Sequence, residues 1–568
     1  MASAAGAVEL RERERAGCRE FTGWRHTARA TMIAEPDSPT PAARAAPLDA
    51  EVARRRTFGI ISHPDAGKTT LTERLLLLGG AIHSAGDVRA RKTGRQATSD
   101  WLDIERDRGI SVTASAMQFD YAGRVVNLLD TPGHEDFSED TFRVLTAVDS
   151  ALMVIDAVKG VESRTRQLME VCRMRDTPIL TFINKLDREG RDPFDLLSDI
   201  EASLGIAAAP MAWPVGMGAR LKGVYLLHHR QFVPVGPGGR DGAPVDVSGV
   251  DDPGLDALLG DDAATLRADV ELLSGAGTPF DPAAYLAGMQ TPVFFGTALG
   301  GLGVRALLDA FVEMAPPPRA RATTTRVVEP SETAFSGLVF KIQANMDPAH
   351  RDRIAFVRVV SGRFERGLRV RHQRAERELR VGNAVLFQAR KREGVDYAFP
   401  GDIIGVPNHG TLRIGDTLTE GEPLRFTGIP SFAPEHFRRV RVDSALKSKA
   451  LEKGLKHLTE EGAIQLLRPL AANTLVLGAV GLLQFDVAAA RLAAEYRVEA
   501  ILGGLPWTVA RWVEGPADAL AEIERREAHR LARDHHGDLV FLSDSAFWLE
   551  RGEKDYPRLR FLIAKEHA

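Results

Sequence analysis

From Arg56 onward, short runs of apolar and β-branched residues alternate with stretches whose apolar positions recur near every 3.6 residues. The runs are Thr57–Ile61, Val125–Leu129, Ala151–Ile155, Ile179–Ile183 and Val293–Phe295, and the helical patterns include Lys68–Leu78 and Glu162–Arg175. Strands that are apolar nearly throughout are covered on both faces. The alternation therefore predicts an α/β domain built on a mostly parallel, doubly wound sheet. The stretch from Asp187 to Gly296 is too long for one helix and is turn-rich from Pro234 to Gly242, which predicts an inserted subdomain at about residues 206–290. Pro316, Pro317 and Pro318 form a stiff linker, after which short strands (Gly337–Ile342, Arg353–Val360, Leu368–His372) are punctuated by Gly362, Gly367, Gly401 and Gly415. That rhythm predicts a β-barrel. A second Pro-rich joint, Pro423 to Pro434, leads into a mixed segment. The expected organisation is an extension over 1–51, the α/β domain over 52–318, the barrel over 323–425 and an α+β domain over 432–568.

Composition narrows the setting. A chain of 568 residues exceeds one ordinary domain, and at about 150 residues per domain three or four are expected. Lys plus Arg is 73 against 77 Asp plus Glu, a net charge of −4, so bulk positive charge is no route to nucleic acid, although a local basic face remains open. Cys18 and Cys172 cannot build a disulfide framework or a Cys-rich zinc site, which points to the cytoplasm. No apolar run approaches the roughly 20 residues of a bilayer span, so no membrane is expected. The first fifty residues carry seven acidic residues against seven arginines. Transit peptides are acidic-poor, so a disordered extension is expected, with translation upstream of Met32 left open.

The chemistry sits at the strand ends. Ser62, His63, Pro64, Asp65, Ala66, Gly67, Lys68, Thr69 and Thr70 follow the first strand and open a helix. This is a phosphate-binding loop with Ser62 in place of its first glycine. Its backbone N–H groups wrap phosphates, Lys68 reaches the β- and γ-phosphates, and the Thr69 hydroxyl ligates Mg²⁺. Asp130, Thr131, Pro132, Gly133 and His134 follow a second strand. There Asp130 meets the magnesium shell through water and the Gly133 N–H senses a γ-phosphate. Asn184, Lys185 and Asp187 end a third strand, and a carboxylate there accepts from the N1–H and exocyclic amine of guanine, which adenine does not offer. Gly296, Thr297 and Ala298 end the last strand, where a backbone N–H meets guanine O6. Each segment alone is also readable as a strand-end turn, but their order along one sheet predicts a GTP/GDP site. Between them, Arg89 to Ser111 is charge-dense. A solvated loop and a nucleotide-ordered switch both fit, with Ser111 as a second Mg²⁺ hydroxyl in the latter. Directly after Gly133, His134 can orient the attacking water or act as its base, and hydrolysis asks little more than that, Lys68 and compensated charge.

Ser62–Thr69, Arg108–Ser111, Asp130–His134 and Asn184–Asp187 together resemble the translational GTPases, in which histidine after Asp-Thr-Pro-Gly is a distinguishing mark. The resemblance extends through Phe340–Phe356, Ala445–Lys449, Gly481–Val487 and Leu505–Arg511, and there it is to the release factor 3 family. It covers about residues 52–568. It implies a ribosome-bound GTPase that promotes dissociation of class I release factors, with rRNA and ribosomal proteins as partners, no DNA, and a monomeric state. It also implies a monovalent cation near Asp65 and accounts for Ser at 111. Elongation factor G continues into further domains, which this chain is expected to lack, and elongation factor Tu lacks the insertion before Gly296.

Ribosomal contact has a physical basis as well. From Arg438 to Arg468 there are eight Lys or Arg against four acidic residues, and Lys447, Lys449, Lys453 and Lys456 can line one helical face opposite Leu451, Leu455 and Leu458. Such a face meets RNA phosphates or is simply solvated. The barrel adds Arg351, Arg353, Arg363, Arg366, Arg369 and Arg371. Cys172 is expected to pack in the interior. Two other readings stay open: a nucleotide-gated ribosome-binding module in which hydrolysis is incidental, and an ATPase, which Asn184 and Asp187 disfavour.

Overall fold

The computed structural model describes residues 47–82, 114–344, 353–388 and 391–566. The helix Leu48–Arg54 begins inside the stretch expected to be a disordered extension. The remainder of that extension, residues 1–46, lies outside the described residues, as does the charge-dense stretch ending in Ser111.

Seven strands form the first sheet. They are β1 (Arg55–Ser62), β2 (Ser115–Tyr121), β3 (Arg124–Asp130), β4 (Ser150–Asp156), β5 (Ile179–Asn184), β6 (Ala207–Pro210) and the strand Gln290–Phe295. Their order is β2-β3-β1-β4-β5, then Gln290–Phe295, then β6. All pairs are parallel except β2 with β3. β1, β4 and β5 are buried along their whole length, as continuous apolar runs require. β2 differs: only Met117 and Phe119 are buried among polar neighbours, the alternation of an edge strand. β6 belongs to the main sheet, so the inserted chain leaves after Pro210 and not at 206. The insertion carries its own four-stranded antiparallel sheet and the helices Pro253–Leu259, Asp262–Ala276 and Pro282–Leu286.

Local chemistry sets the element ends. Asp192 caps Pro193–Leu204 by accepting from the Phe194 N–H at 2.8 Å, with Pro193 in the first turn and Gly205 closing the helix at φ 59°. Cys172 is buried in helix Ser163–Arg173, and burial pushes its thiol up to about 12, so it packs as expected and is inert.

The second region is a curled antiparallel β domain around the long hairpin Ser336–Ala344 with Arg353–Ser361. It shares one continuous apolar core with the first domain. Buried ion pairs also cross the joint: Arg358 Nη2 lies 2.5 Å from Asp149 Oδ2, Arg321 Nη2 lies 3.5 Å from Oδ1, and Arg55 Nε meets Asp402 at 2.9 Å. Truncating one member strands the other charge in the interior. Arg358→Met is therefore expected to cost about 3–5 kcal/mol, read as a lowered midpoint in urea unfolding. A loss under about 1 kcal/mol would mean that Arg321 alone neutralises Asp149.

The last region is an α+β unit whose eight-stranded antiparallel sheet has two halves. Helices Ser448–Glu460 and Leu483–Tyr496 cover the first half, and helices Ala517–Arg526 and Ala546–Asp555 pack with strand Leu539–Ser543 in the second. The joint read at 423–434 is itself paired, since Pro430–Phe432 runs antiparallel to Ala564–Glu566. Among the described residues, no helix is long and apolar enough to cross a membrane.

Candidate nucleotide site

The phosphate-loop geometry follows from the end of β1. Gly67 takes φ 97° to turn the chain into helix Lys68–Leu78, and a Cβ there would sit 2.3 Å from Asn184 Nδ2. Only glycine leaves that space open. Asp65 also has positive φ, 65°, and its side chain is exposed. Ser62 and His63 are buried, with Ser62 Oγ donating to the His63 carbonyl at 2.9 Å. Burial pushes the His63 imidazole below its ordinary value, while the Glu162 carboxylate 3.7 Å away opposes that shift.

β1 and β3 bring the loop and the Asp130–His134 segment side by side, with Ile60 opposite Asp130. Lys68 Nζ donates to Asp130 Oδ1, while Asp130 Oδ2 is buried with no hydrogen-bond partner. Thr131 Oγ1 donates to the Ile60 carbonyl at 2.6 Å, and the Pro132 carbonyl accepts from Thr141 Oγ1 at 3.2 Å. Gly133 faces the loop: a Cβ there would lie 3.8 Å from Pro64 Cα and 4.0 Å from Lys68 Cε. A buried carboxylate with one unsatisfied oxygen, a lysine beside it, the adjacent Thr69 and Thr70 hydroxyls and a glycine-opened cradle suit a phosphate chain with Mg²⁺.

The residues expected to meet the base converge from the ends of β5 and of the strand Gln290–Phe295. Asn184 is a tie between segments: its Nδ2 donates to the Ala66 carbonyl at 2.7 Å and its Oδ1 accepts from the Ala298 N–H at 2.8 Å. The Gly296 and Thr297 N–H groups bond to Ile183 and Leu302 carbonyls. A base oxygen recognised by this tripeptide would therefore share or displace the Ala298–Asn184 bond. Asp187 is exposed, and its carboxylate accepts from Thr297 Oγ1 at 2.5 Å. Lys185 donates to Asp156 at 2.7 Å and to the Asp65 carbonyl. Burial works against ionisation of Asp156, but the Lys185 ammonium holds its carboxyl below the ordinary range.

His134 sits beyond the loop with 35% of its side chain exposed. It lines a cleft of about 830 Å³ together with Asp136, Arg438, Leu483, Phe485 and Leu502. The cleft lies on the seam between the first domain and the last. Helix Ser138–Leu145 crosses the same seam: Arg143 Nη2 donates to the Gly462 carbonyl at 3.1 Å, Ser431 Oγ to Glu139 at 3.3 Å, and Phe142 packs on Phe432 at 5.0 Å. From the second domain, Lys341 reaches the Ala114 carbonyl and lies 3.1 Å from Asp140 Oδ2. No motif pointed to Asp136 or Asp156, and although Lys341 lies in the Phe340–Phe356 run, its contacts with Ala114 and Asp140, like that of Asp136 with Leu483, join residues far apart in the chain. Of the basic residues, Lys447, Lys449, Lys453 and Lys456 are exposed, whereas Leu451, Leu455 and Leu458 are buried. Arg353 departs from the expectation of a free RNA contact: it is spent on Glu460 at 2.6 Å, an ion pair between the second and third domains. Arg351 and Ser111 lie outside the described residues.

Comparisons with known proteins agree with this arrangement. A family model described as the elongation factor Tu GTP binding domain matches residues 53–317, and elongation factor G domain 2 matches 334–421. These two matches, on this fold and site, define a GTPase of the translation-factor type, and such a domain binds GTP/GDP with Mg²⁺. The third match, described as "Class II release factor RF3, C-terminal domain", covers 426–552. The chain belongs to the release factor 3-type translational GTPases. A crystal structure of a protein from Thermus thermophilus is similar with a TM-score of 0.66 at 23% identity, covering 85% of this chain and 72% of that one. At that identity it supports the fold alone.

Proposed function

We propose that this chain is a ribosome-stimulated GTPase that promotes dissociation of class I release factors after termination, acting as a cytoplasmic monomer. The observation that carries the reading is a release-factor C-terminal domain joined to a GTPase domain in one chain. In the proposed mechanism Lys68 and the loop N–H groups hold the β- and γ-phosphates, the Gly133 N–H senses the γ-phosphate, and Asp187 selects guanine. Thr69, Ser111 and Asp130 would hold Mg²⁺, which would supply neutralising charge for the phosphates. His134 orients the attacking water. Asp65, exposed at positive φ within the loop, is the proposed neighbour of a monovalent cation. Turnover of GTP with and without ribosomes tests the reading: slow hydrolysis alone and strong stimulation are expected, and a rate indifferent to ribosomes would contradict it.

The exposed Lys447, at the N-cap, and the exposed lysines of helix Ser448–Glu460 support contact with rRNA phosphates. Changing Lys447, Lys449 and Lys453 to Gln is expected to weaken ribosome binding and to flatten its salt dependence by roughly 0.7–0.9 in log–log slope per lysine. An unchanged slope would mean that this face is merely solvated.

A further inference from the structure

We propose that Asp136 is a positioning residue for His134, and that it is anchored by the N-terminus of helix Leu483–Tyr496 in the C-terminal domain. The inference rests on the reading of His134 given above and deepens it.

His134 precedes the short 3₁₀ turn Glu135–Phe137 and caps it: the Asp136 N–H donates to His134 Nδ1 at 3.3 Å. Three residues of 3₁₀ helix have too few bonds, and too poorly aligned, to hold a ring in one orientation. The far end of the turn runs on into helix Ser138–Leu145, and its His134 end takes outside support. The Asp136 carboxylate supplies it through Oδ2, which accepts from the Leu483 N–H at 2.6 Å. A carboxylate on a free N–H of a helix's first turn is a charge-assisted bond that also meets the positive end of the helix dipole.

The receiving side is shaped for it. A Cβ on Gly481 would lie 2.3 Å from both Cβ and Cγ of Asp136 and 2.4 Å from its Cα. Glycine is needed at 481 for this close approach; its own backbone angles do not demand it. Gln484 Oε1 accepts from the Val480 and Gly481 N–H groups at 2.8 and 3.0 Å, and its Nε2 donates to the Ala463 carbonyl at 3.1 Å. The segment that presents the Leu483 N–H is thus itself fixed. With Asp136 held, the His134 ring is directed along the cleft on the domain seam. A group held in one rotamer by such support loses little freedom when it reacts.

The test compares Asp136→Ala, Asp136→Asn and Gly481→Ala in the full-length protein with ribosomes. Asp136→Ala is expected to lower stimulated kcat about tenfold or more, with the KM for GTP and the affinity for GDP within about twofold of the parent. Asp136→Asn keeps an acceptor for the Leu483 N–H and is expected to recover most of the rate. Gly481→Ala, 345 residues away in sequence, is expected to reproduce the loss. Hydrogen exchange at the Leu483 amide gives a readout independent of turnover, faster in Asp136→Ala and Gly481→Ala but not in Asp136→Asn. An unchanged kcat in Asp136→Ala, an Asp136→Asn variant as slow as Asp136→Ala, or unaltered exchange at Leu483 overturns the proposal. Where His134→Ala is slow and Asp136→Ala is not, this proposal alone falls. If His134→Ala keeps stimulated turnover, the reading of His134 falls and this one with it.

Discussion

Replacing His134 with alanine is expected to remove most ribosome-stimulated GTP hydrolysis, by about 10²–10⁴-fold in kcat, while GTP and GDP affinities stay within about twofold. The asymmetry follows from its position. His134 adjoins Gly133, which faces Pro64 and Lys68, yet its ring projects into the seam cleft and belongs to no apolar core. On the proposed reading its loss removes the group that orients the attacking water and leaves the phosphate cradle and guanine contacts intact. Pre-steady-state hydrolysis on ribosomes, with equilibrium nucleotide binding measured alongside, separates the two effects. Turnover equal to the parent would assign His134 to a capping role only.

The second large effect is expected at Asp187. Its carboxylate lies at the end of β5 and is held by Thr297 Oγ1. Two donors of guanine, N1–H and the exocyclic amine, would give it two charge-assisted hydrogen bonds at about 1.5–3 kcal/mol each. Asp187→Asn removes the charge and offers an N–H where an acceptor is needed. GDP affinity is expected to fall by about 10²–10⁴-fold. A xanthine nucleotide, with a carbonyl in place of the amine, is expected to bind the variant better than the parent. Titration of both nucleotides against both proteins decides it. Retained GDP affinity in Asp187→Asn would show that guanine is recognised elsewhere, and equal binding of adenine nucleotides by the parent would revive the ATPase.

What could be read from the sequence and what could not divide along a physical line. The strands β1, β4 and β5 are continuous apolar runs because helices cover both sheet faces, so local composition reports them directly. The nucleotide segments are contiguous and each follows a strand, so their order sufficed to gather them at the carboxyl ends of parallel strands in one sheet. β2 was hidden because Gln118 and Asp120 interrupt its apolar residues, a pattern of period two among runs that are otherwise unbroken. β6 reads Ala-Ala-Ala-Pro and carries none of the β-branched side chains that mark a strand. Motif order also fails to report what Asn184 touches. Its two hydrogen bonds, to Ala66 and Ala298, depend on loops that only the folded sheet brings together. The same holds for Arg353, whose sequence neighbours suggest a free cation and whose partner, Glu460, comes from another domain. The seam between Asp136 and Leu483 joins residues 347 positions apart, beyond the reach of any local pattern.

The central claim, that this GTPase removes class I release factors from the ribosome, is tested most directly on post-termination ribosomes carrying a labelled class I factor. Dissociation is followed after adding this protein with GTP, with GDP, or with no nucleotide. Faster departure of the factor that requires both the protein and GTP is the predicted result. A departure rate the same with and without the protein in the presence of GTP would contradict the account, even if ribosomes stimulate its hydrolysis.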